Sequence, residues 1–303
     1  MSTDLITIAG DTMGTRYAVQ FPEGPFSDRA TLQHDLHLAV ASVDQQMSPW
    51  ITTSIVNQIN ATPVGEWMKI PTQTAQVIEK ALEIERKSNA AFSIAVAPQV
   101  RHYGFSTMDR DFGDAPQIGS GACDSLELKG LYLRKSRPIE IDLCGIAKGY
   151  GVDVLAEIMI KYGIRDFMVS IDGELRCLGA PAPDQTWQVA IEAPVPAIRE
   201  SAGVIPCAEL ALATSGGYRN FDLNGEEPVT HTIDPRTGLP LPGTSNSVVV
   251  AHKYCCDADA WATALLVMPI EEAEGLIIEQ KLNALFLKYE GSETLFVAHG
   301  AFA

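Results

Sequence analysis

Two oxygen-bearing side chains, those of Asp259 and Thr263, are four residues apart in an alanine-rich segment that predicts a helix. Because residues i and i+4 lie on the same side of an α-helix, their oxygens would point in one direction. A carboxylate beside a hydroxyl is a poor zinc site but suits magnesium, which prefers oxygen donors and retains several waters. The alternative is an exposed aspartate beside a threonine that hydrogen-bonds back to its own helix.

Residues 139–153 combine a carboxylate, several glycines and a cation. The first five alternate apolar and polar types, which predicts a strand, and helical spacing follows as far as Gly163, a predicted C-terminal cap. Asp142 would then end the strand, glycines would form the turn, and Lys148 would lie in the first helical turn. Such a turn can approach a phosphate or a metal. Alternatively, Asp142 is a simple helix N-cap and Lys148 is a solvated surface charge.

His231 begins a polar sequence, His-Thr-Ile-Asp-Pro-Arg-Thr-Gly, that predicts a turn. In isolation, the simpler interpretation is a structural histidine whose hydrogen bonds are satisfied within a loop. The sequence contains no Ser-His-Asp order, no H-E-x-x-H motif and no G-x-x-x-x-G-K-[ST] motif, so nothing indicates those hydrolase, zinc-protease or P-loop sites.

Three further stretches have the residue types of a binding pocket. Trp50 lies in a predicted loop, where it would cover the core or stack on a flat ring. Residues 90–98 are small and apolar, which is typical of a chain that passes close to another element or a ligand. Met13 adjoins Gly14 in a predicted turn, where it would belong to the core or to a pocket floor.

The 303 residues predict one large domain, or two closely packed lobes. A formal net charge of -16 argues against nucleic acid and anionic membrane surfaces as partners. A bound phosphate compound would therefore be held by local dipoles, a metal or a few cations. The longest apolar runs, such as residues 260–268, are too short to span a membrane.

The elements that must position these residues indicate an α+β fold. Strand patterns occur in clusters at residues 5–21, 166–192, 245–251 and 284–298, instead of alternating regularly with helices. This clustering predicts mixed or antiparallel sheets with packed helices, not a doubly wound parallel sheet. Helices are expected over about residues 32–47, 72–88, 259–268 and 269–280, and residues 106–125 are expected to form an excursion loop.

Six segments in this order closely resemble the FAD:protein FMN transferases, the ApbE-like flavin transferase family. The resemblance covers about residues 6–298, and the combination is specific although each motif alone is weak. The segments are Met13-Gly-Thr, Met47-Ser-Pro-Trp, Asp142-Leu-Cys-Gly-Ile-Ala-Lys-Gly-Tyr150, Ala213-Thr-Ser-Gly-Gly-Tyr-Arg219, His231-Thr-Ile-Asp-Pro-Arg-Thr-Gly-Leu-Pro240 and Ala258-Asp-Ala-Trp-Ala-Thr263.

The resemblance implies an ApbE-like architecture related to the T-fold. It also implies a magnesium-dependent enzyme that transfers FMN from FAD to a threonine or serine hydroxyl of an acceptor protein and releases AMP. The family's catalytic base falls on His231, and its metal ligands fall on Asp259, Thr263 and the Gly145 carbonyl. Its flavin contacts fall on Met13, Trp50, Ala91, Phe92, Ser93, Asp142, Lys148 and Ile233.

The sequence departs from the family pattern at three places. Ser93 stands where the family usually has aspartate, Asp172-Gly173 where paired glycines are usual, and Gly217 where an acidic residue is frequent. Two alternatives therefore stay open: an FAD pyrophosphatase, with water in place of the acceptor hydroxyl, and a non-catalytic FAD-binding protein.

The sequence also carries information about the acceptor of FMN and about the compartment in which the protein works. The family's acceptor motif, Asp-x-x-Ser/Thr-Gly-Ala-Thr/Ser, does not occur; the nearest match, Ser120-Gly-Ala-Cys123, lacks the final hydroxyl and has Gln117 in place of the aspartate. A separate acceptor protein is therefore expected. The N-terminal residues show no export signal or lipid-anchor cysteine, so the expected location is cytoplasmic, or periplasmic if a leader has been removed.

Overall fold

The computed structural model describes residues 4–24, 28–105, 121–195, 198–218, 221–224, 227–243, 246–291 and 293–303, with the backbone alone for 221–224 and 227–228. Most of the predicted excursion at residues 106–125 lies outside these ranges, as do Gln117, Ser120 and Arg219. The described remainder of that excursion includes a short helix, Ala122–Ser125.

Within the described ranges the chain forms eight α-helices and sixteen β-strands. The helices are α1 (Arg29–Met47), α2 (Ile55–Ala61), α3 (Thr72–Lys87), α4 (Ala97–His102), α5 (Ala122–Ser125), α6 (Cys144–Lys161), α7 (Cys255–Leu266) and α8 (Ile270–Gln280). The strands are β1 (Leu5–Thr12), β2 (Thr15–Pro22), β3 (Trp67–Lys69), β4 (Leu126–Lys129), β5 (Tyr132–Lys135), β6 (Phe167–Ile171), β7 (Glu174–Leu178), β8 (Trp187–Glu192), β9 (Ser201–Cys207), β10 (Ala211–Gly216), β11 (Phe221–Asn224), β12 (Glu227–Asp234), β13 (Leu239–Pro242), β14 (Asn246–His252), β15 (Asn283–Glu290) and β16 (Glu293–His299).

The central element is an eight-stranded sheet of order β1-β2-β6-β7-β10-β14-β15-β16. Smaller sheets are formed by β11-β12-β13, by β3-β5-β4 and by the pair β8-β9. Every strand pairing in the described part of the chain is antiparallel. The prediction of an α+β fold without a doubly wound parallel sheet is confirmed.

Strand β14 shows how the sheet separates two apolar layers. Val248 and Val250 belong to the core formed with α7, whereas Val249 and Ala251 belong to the core that includes the β8-β9 hairpin. A strand covered on both faces needs a continuous apolar run, because neither set of alternate side chains meets water. The three consecutive valines are therefore explained by this arrangement, in which helices cover one face of β14 and the hairpin covers the other.

Helices α6 and α7 pack closely on the helical face of the sheet. A Cβ atom at Gly149 would lie 2.3 Å from the Cys255 carbonyl oxygen and 2.7 Å from the Asp259 Cβ. Only glycine permits this approach of two helix backbones. The helices are joined by polar contacts as well, since Asp153 of α6 accepts hydrogen bonds from the Cys255 and Cys256 amides at 3.1 and 2.9 Å. Asp153 therefore caps α7, which begins at Cys255 and not at the predicted Asp259.

The predicted strand at residues 139–143 is wrong. The Ile141 amide and carbonyl bond the side chain of Asn60, at 2.7 and 2.9 Å, and the Asp142 amide donates to the Ile94 carbonyl at 2.8 Å. The apolar residues of the alternation, Ile139, Ile141 and Leu143, are buried as expected, but Asp142 is buried too. An asparagine side chain and a loop carbonyl take the place of a neighbouring strand. Helix α6 begins at Cys144, so its glycines lie inside the helix and Lys148 lies in the second turn.

The predictions for helices α1, α3 and α8 and for strands β1, β2, β6, β8, β14, β15 and β16 match the structure closely. Helix α6 ends at Lys161, and Tyr162 is followed by Gly163 with φ 77° in the left-handed region, as predicted for the C-terminal cap. None of the helices within the described ranges combines the length and apolar character that crossing a bilayer requires.

Candidate active site

A cavity of about 730 Å³ lies among α6, α7, β10, β12 and the β8-β9 hairpin. Every site residue predicted from the sequence lines it, with the exception of Met13. These lining residues are Trp50, Ala91, Phe92, Ser93, Asp142, Gly145, Lys148, His231, Ile233, Asp259 and Thr263. Residues from five separate stretches of the sequence therefore face one space.

Met13 occupies a different position. It lies in the β1–β2 turn with φ 49°, next to a second cavity shared with Asp11, Arg16 and Asp44. Its methyl group packs towards α6, where a Cβ at Gly151 would lie 3.1 Å from the Met13 Cε. The structure therefore groups Met13 with the β1–β2 turn and α6, not with the residues that line the large cavity.

The first cluster in the cavity consists of oxygens on α6, α7 and β10. Asp259 is only 3% exposed, so the alternative of an exposed surface aspartate is wrong. The Thr263 Oγ1 lies 3.3 Å from the Ser215 hydroxyl on β10, and a Cβ at Gly145 would lie 3.4 Å from the same Thr263 oxygen. Burial raises the pKa of Asp259 above its ordinary value, against the opposing effects of Lys148 and the Gly149 amide.

The second cluster surrounds the ammonium of Lys148. Its Nζ donates to Glu174 Oε1 at 2.7 Å and lies 3.7 Å from Asp172 Oδ2. Burial lowers the pKa of Lys148, but the carboxylates of Glu174 and Asp259 outweigh this effect and raise it overall. The Lys148 ammonium therefore lies among the side chains of Glu174, Asp172 and Asp259, which favour its charged form.

Glu174 and Asp172 were missed as site residues by the sequence analysis. The available signal was the polar sequence Asp172-Gly173-Glu174 directly after the buried strand β6. Strands β6 and β7 form a hairpin, and Glu174, the first residue of β7, pairs with Ile171 at its turn. The pattern of a turn was visible, but the sequence does not show that the turn meets α6.

His231 lies on strand β12, and the predicted turn begins only after Asp234. The exposed His231 ring faces the ring of Phe105 edge-on, with centroids 6.3 Å apart. Asp234 and Arg236 of the same motif bond one another at 3.0 Å, and Arg236 also binds Glu272 at 2.8 Å. The histidine therefore lines the cavity, while the aspartate and arginine stabilise the turn.

The Ala91–Ser93 wall is supported by a buried carboxylate. Ser93 Oγ donates to Glu85 Oε2 at 3.1 Å, and the Cys123 amide donates to Glu85 Oε1 at 3.3 Å. Burial raises the pKa of Glu85, although both hydrogen bonds favour its charged form. The wall and the start of α5 are therefore joined through one acid that is 4% exposed.

Substitution Glu85→Gln is expected to preserve the wall and to change the pH dependence of stability. A raised folded-state pKa means that the wild-type contribution of Glu85 decreases as pH rises from about 4.3, the ordinary glutamate value, through the folded pKa. Glutamine keeps an acceptor for Cys123 and cannot ionise. The difference in unfolding free energy, variant minus wild type, should increase between pH 4 and pH 8 in urea titrations. A difference that falls with pH would contradict this prediction.

Comparison with known proteins identifies relatives of this chain by sequence and by fold. The sequence model of the ApbE family matches residues 13–286. The chain belongs to the ApbE family. A relative from Vibrio cholerae serotype O1 named FAD:protein FMN transferase is 32% identical, across 93% of this chain and 87% of its own length.

Solved ApbE structures have the same fold over nearly the whole chain. The flavin transferase ApbE from Vibrio cholerae superimposes with a TM-score of 0.87 at 30% identity and covers 99% of this chain and 98% of its own. The apo flavinyl transferase ApbE from Pseudomonas stutzeri gives 0.87 at 25% identity, over 100% and 96%. The ApbE resemblance inferred from ordered motifs is confirmed.

Proposed function

We propose that this protein transfers FMN from FAD to a serine or threonine hydroxyl of an acceptor protein and releases AMP, with magnesium as the metal. The observation that carries the proposal is the joining of three features in one cavity. The buried Asp259 carboxylate and the half-buried hydroxyls of Thr263 and Ser215 line the same cavity as the Lys148 ammonium, and His231 lines it too. The names of the relatives support the same activity.

The cavity suits a dinucleotide with a flat ring. At about 730 Å³ it is within the ordinary range of ligand sites, and Trp50, Phe92 and Ile233 give it apolar walls. The amino end of the 18-residue helix α6 opens into it at Cys144 and Gly145. A helix N-terminus favours an anion, so the pyrophosphate is placed there, beside Lys148.

The donor set fits magnesium. Asp259, Thr263 and the Gly145 carbonyl would hold it, and all three are oxygen donors. The Gly149 amide, which in a regular helix points at the Gly145 carbonyl, donates to Asp259 Oδ2 at 2.9 Å. Within the described residues no three acidic, His or Cys side chains form a metal cluster, which agrees with a site completed by water and substrate oxygens. Bound there, magnesium would neutralise pyrophosphate charge.

The protein's own residues would act on the substrate in three ways. His231 would accept the proton of the attacking hydroxyl, as a general base does. The acceptor oxygen forms a bond to the FMN phosphorus, and the bond from that phosphorus to the AMP oxygen breaks. Lys148 and the amino end of α6 would hold the pyrophosphate in line for this displacement.

The direct test uses FAD, magnesium and a carrier peptide with the sequence Asp-x-x-Ser-Gly-Ala-Thr, the acceptor motif implied by the family resemblance. Mass spectrometry should find one FMN attached through phosphate to the peptide hydroxyl, together with free AMP. Free FMN and AMP with an unmodified peptide would indicate the pyrophosphatase instead. Binding of FAD without cleavage would indicate the non-catalytic protein.

Substitution Trp50→Ala is expected to weaken FAD affinity by about 1–3 kcal/mol, because the indole supplies an apolar surface for a flat ring. Trp50 is 53% exposed, so its removal leaves no core cavity. The matched control is Trp67→Ala, which removes another exposed tryptophan, on β3 and outside the cavity lining. Titration of intrinsic fluorescence with FAD measures both. Equal affinities in the two variants would assign Trp50 no contact with the flavin.

A further inference from the structure

Glu174 is a buried carboxylate whose two oxygens have different surroundings. The residue is 2% exposed, and its Oε1 accepts the Lys148 hydrogen bond at 2.7 Å. Its Oε2 is fully buried and has no hydrogen-bond partner among the described residues. A native protein rarely leaves a buried carboxylate oxygen unpaired, because the loss of hydration is costly.

Packing alone does not explain a carboxylate at this position. Glu174 lies in a cavity wall that already contains Asp172 and Asp259, so a further negative charge raises the electrostatic cost. A buried ion pair is weak evidence for stability, since apolar replacements are often neutral or better. The residue that benefits from Glu174 is Lys148, which has four flexible side-chain bonds and is only partly buried.

Glu174 and Lys148 differ in how rigidly the fold holds them. Glu174 is the first residue of β7, held in the central sheet by pairing with Ile171 of β6. Lys148 projects from α6 on a long chain. The rigid member therefore determines where the flexible ammonium lies, within the same cavity as Gly145 and Asp259.

We propose that Glu174 is a positioning residue for FMN transfer: it holds the Lys148 ammonium at one point of the cavity, beside the pyrophosphate whose bond to AMP breaks when FMN is transferred. The inference rests on the proposed function and adds a residue to it. Glu174 acts through Lys148 and does not contact the substrate. Its contribution is larger in the transition state, where alignment matters most, than in binding of FAD.

The decisive experiment is a double-mutant cycle with Glu174→Gln and Lys148→Met in the full chain. Glutamine has the same shape and keeps one acceptor oxygen, but it lacks the charge that fixes the ammonium. We expect Glu174→Gln alone to lower kcat about 10- to 100-fold, with the FAD dissociation constant changed less than about 3-fold, because a free lysine still reaches bound pyrophosphate. In the Lys148→Met background the same change should have no further effect on kcat.

The matched control is Glu157→Gln, which removes a glutamate from α6 that pairs loosely with Arg176 at 3.6 Å outside the cavity. Thermal unfolding of each variant reports on folding, and fluorescence titration reports the FAD dissociation constant. If Glu174→Gln lowers kcat equally in both backgrounds, or leaves kcat unchanged in the wild-type background, Glu174 does not act through Lys148.

Different results would overturn the proposed function and the role of Glu174. A wild-type protein that attaches no FMN to the carrier peptide would overturn the proposed function and the role of Glu174 with it. A wild-type protein that transfers FMN, with a Glu174→Gln variant of normal kcat, would overturn the role of Glu174 alone.

Discussion

Substitution Asp259→Asn is expected to reduce FMN transfer by about 1,000-fold or more, because a metal that stabilises transferring phosphate contributes several kcal/mol. Asparagine is chosen over alanine for a structural reason. Asp259 accepts the Gly149 amide at 2.9 Å, so alanine would leave a buried amide unpaired between α6 and α7. Asparagine retains an acceptor oxygen and loses only the charge that a divalent cation requires.

The control for Asp259 lies on the same helix. Asp257 is 8% exposed, pairs with Lys80 at 3.1 Å and does not line the cavity. Asp257→Asn should therefore retain transfer near the wild-type rate. Both variants are assayed for transfer over a range of magnesium concentrations and for FAD affinity with and without magnesium. If the Asp259→Asn variant still transfers FMN at a normal, magnesium-stimulated rate, the Asp259 carboxylate is not a metal ligand.

Substitution His231→Ala is expected to lower transfer about 100- to 10,000-fold, the usual contribution of a general base. FAD affinity in the presence of magnesium should stay close to that of the wild type, since a base acts on the attacking hydroxyl and not on the bound nucleotide. His231 is exposed on β12, so alanine creates no core cavity. The split between normal binding and lost transfer separates a catalytic base from a binding residue.

The control for His231 is His252→Ala. His252 ends β14, accepts the Tyr254 amide at 3.2 Å and lies outside the cavity lining. Its removal should leave both FAD affinity and transfer unchanged. Equal loss of FAD affinity and of transfer in His231→Ala would assign His231 to nucleotide binding, and normal transfer would exclude it as the base.

The sequence predicted the elements whose side chains repeat in a regular pattern. Helix α3 shows its apolar side at Ala75, Ile78, Ala81 and Leu82, and β6 alternates at Phe167, Val169 and Ile171; both elements match the structure. Such patterns arise because one face of each element packs on the core, and that requirement acts on nearby residues only. Local periodicity was therefore sufficient for the larger elements.

The missed features depend on contacts between distant residues. Residues 139–143 alternate like a strand, yet the Ile141 backbone is paired with the side chain of Asn60, 81 residues earlier in the chain. Helix α7 begins four residues before Asp259 because Asp153 caps it from α6. Glu174 belongs to the site only because a hairpin turn meets α6. No local pattern encodes these pairings, since each depends on how the sheet and helices are assembled.

For the cavity residues, the ordered motifs were more informative than the periodicity of apolar residues. The pattern around Asp259 and Thr263 allowed a magnesium pair or an exposed aspartate, and the burial of Asp259 in the structure excludes the exposed aspartate. The motif that begins at His231 mixes a cavity-lining histidine with the structural pair Asp234 and Arg236. Motif spacing therefore identifies a segment, but the assignment of roles within it requires the fold.

The capping of α7 by Asp153 determines when, during synthesis, the growing chain can form the oxygen cluster. The carboxylate and the Cys255 amide are 102 residues apart, and Asp259 meets the Gly149 amide across 110 residues. At about 5–20 residues per second, synthesis of the intervening chain takes about 5–20 s, during which Asp153 has no helix to cap. A ribosome-bound chain that ends before Cys255 lacks Asp259 and Thr263 and therefore cannot complete the oxygen cluster. The oxygen cluster can therefore form only after α7 has been synthesised, when β14 is already available to the large sheet.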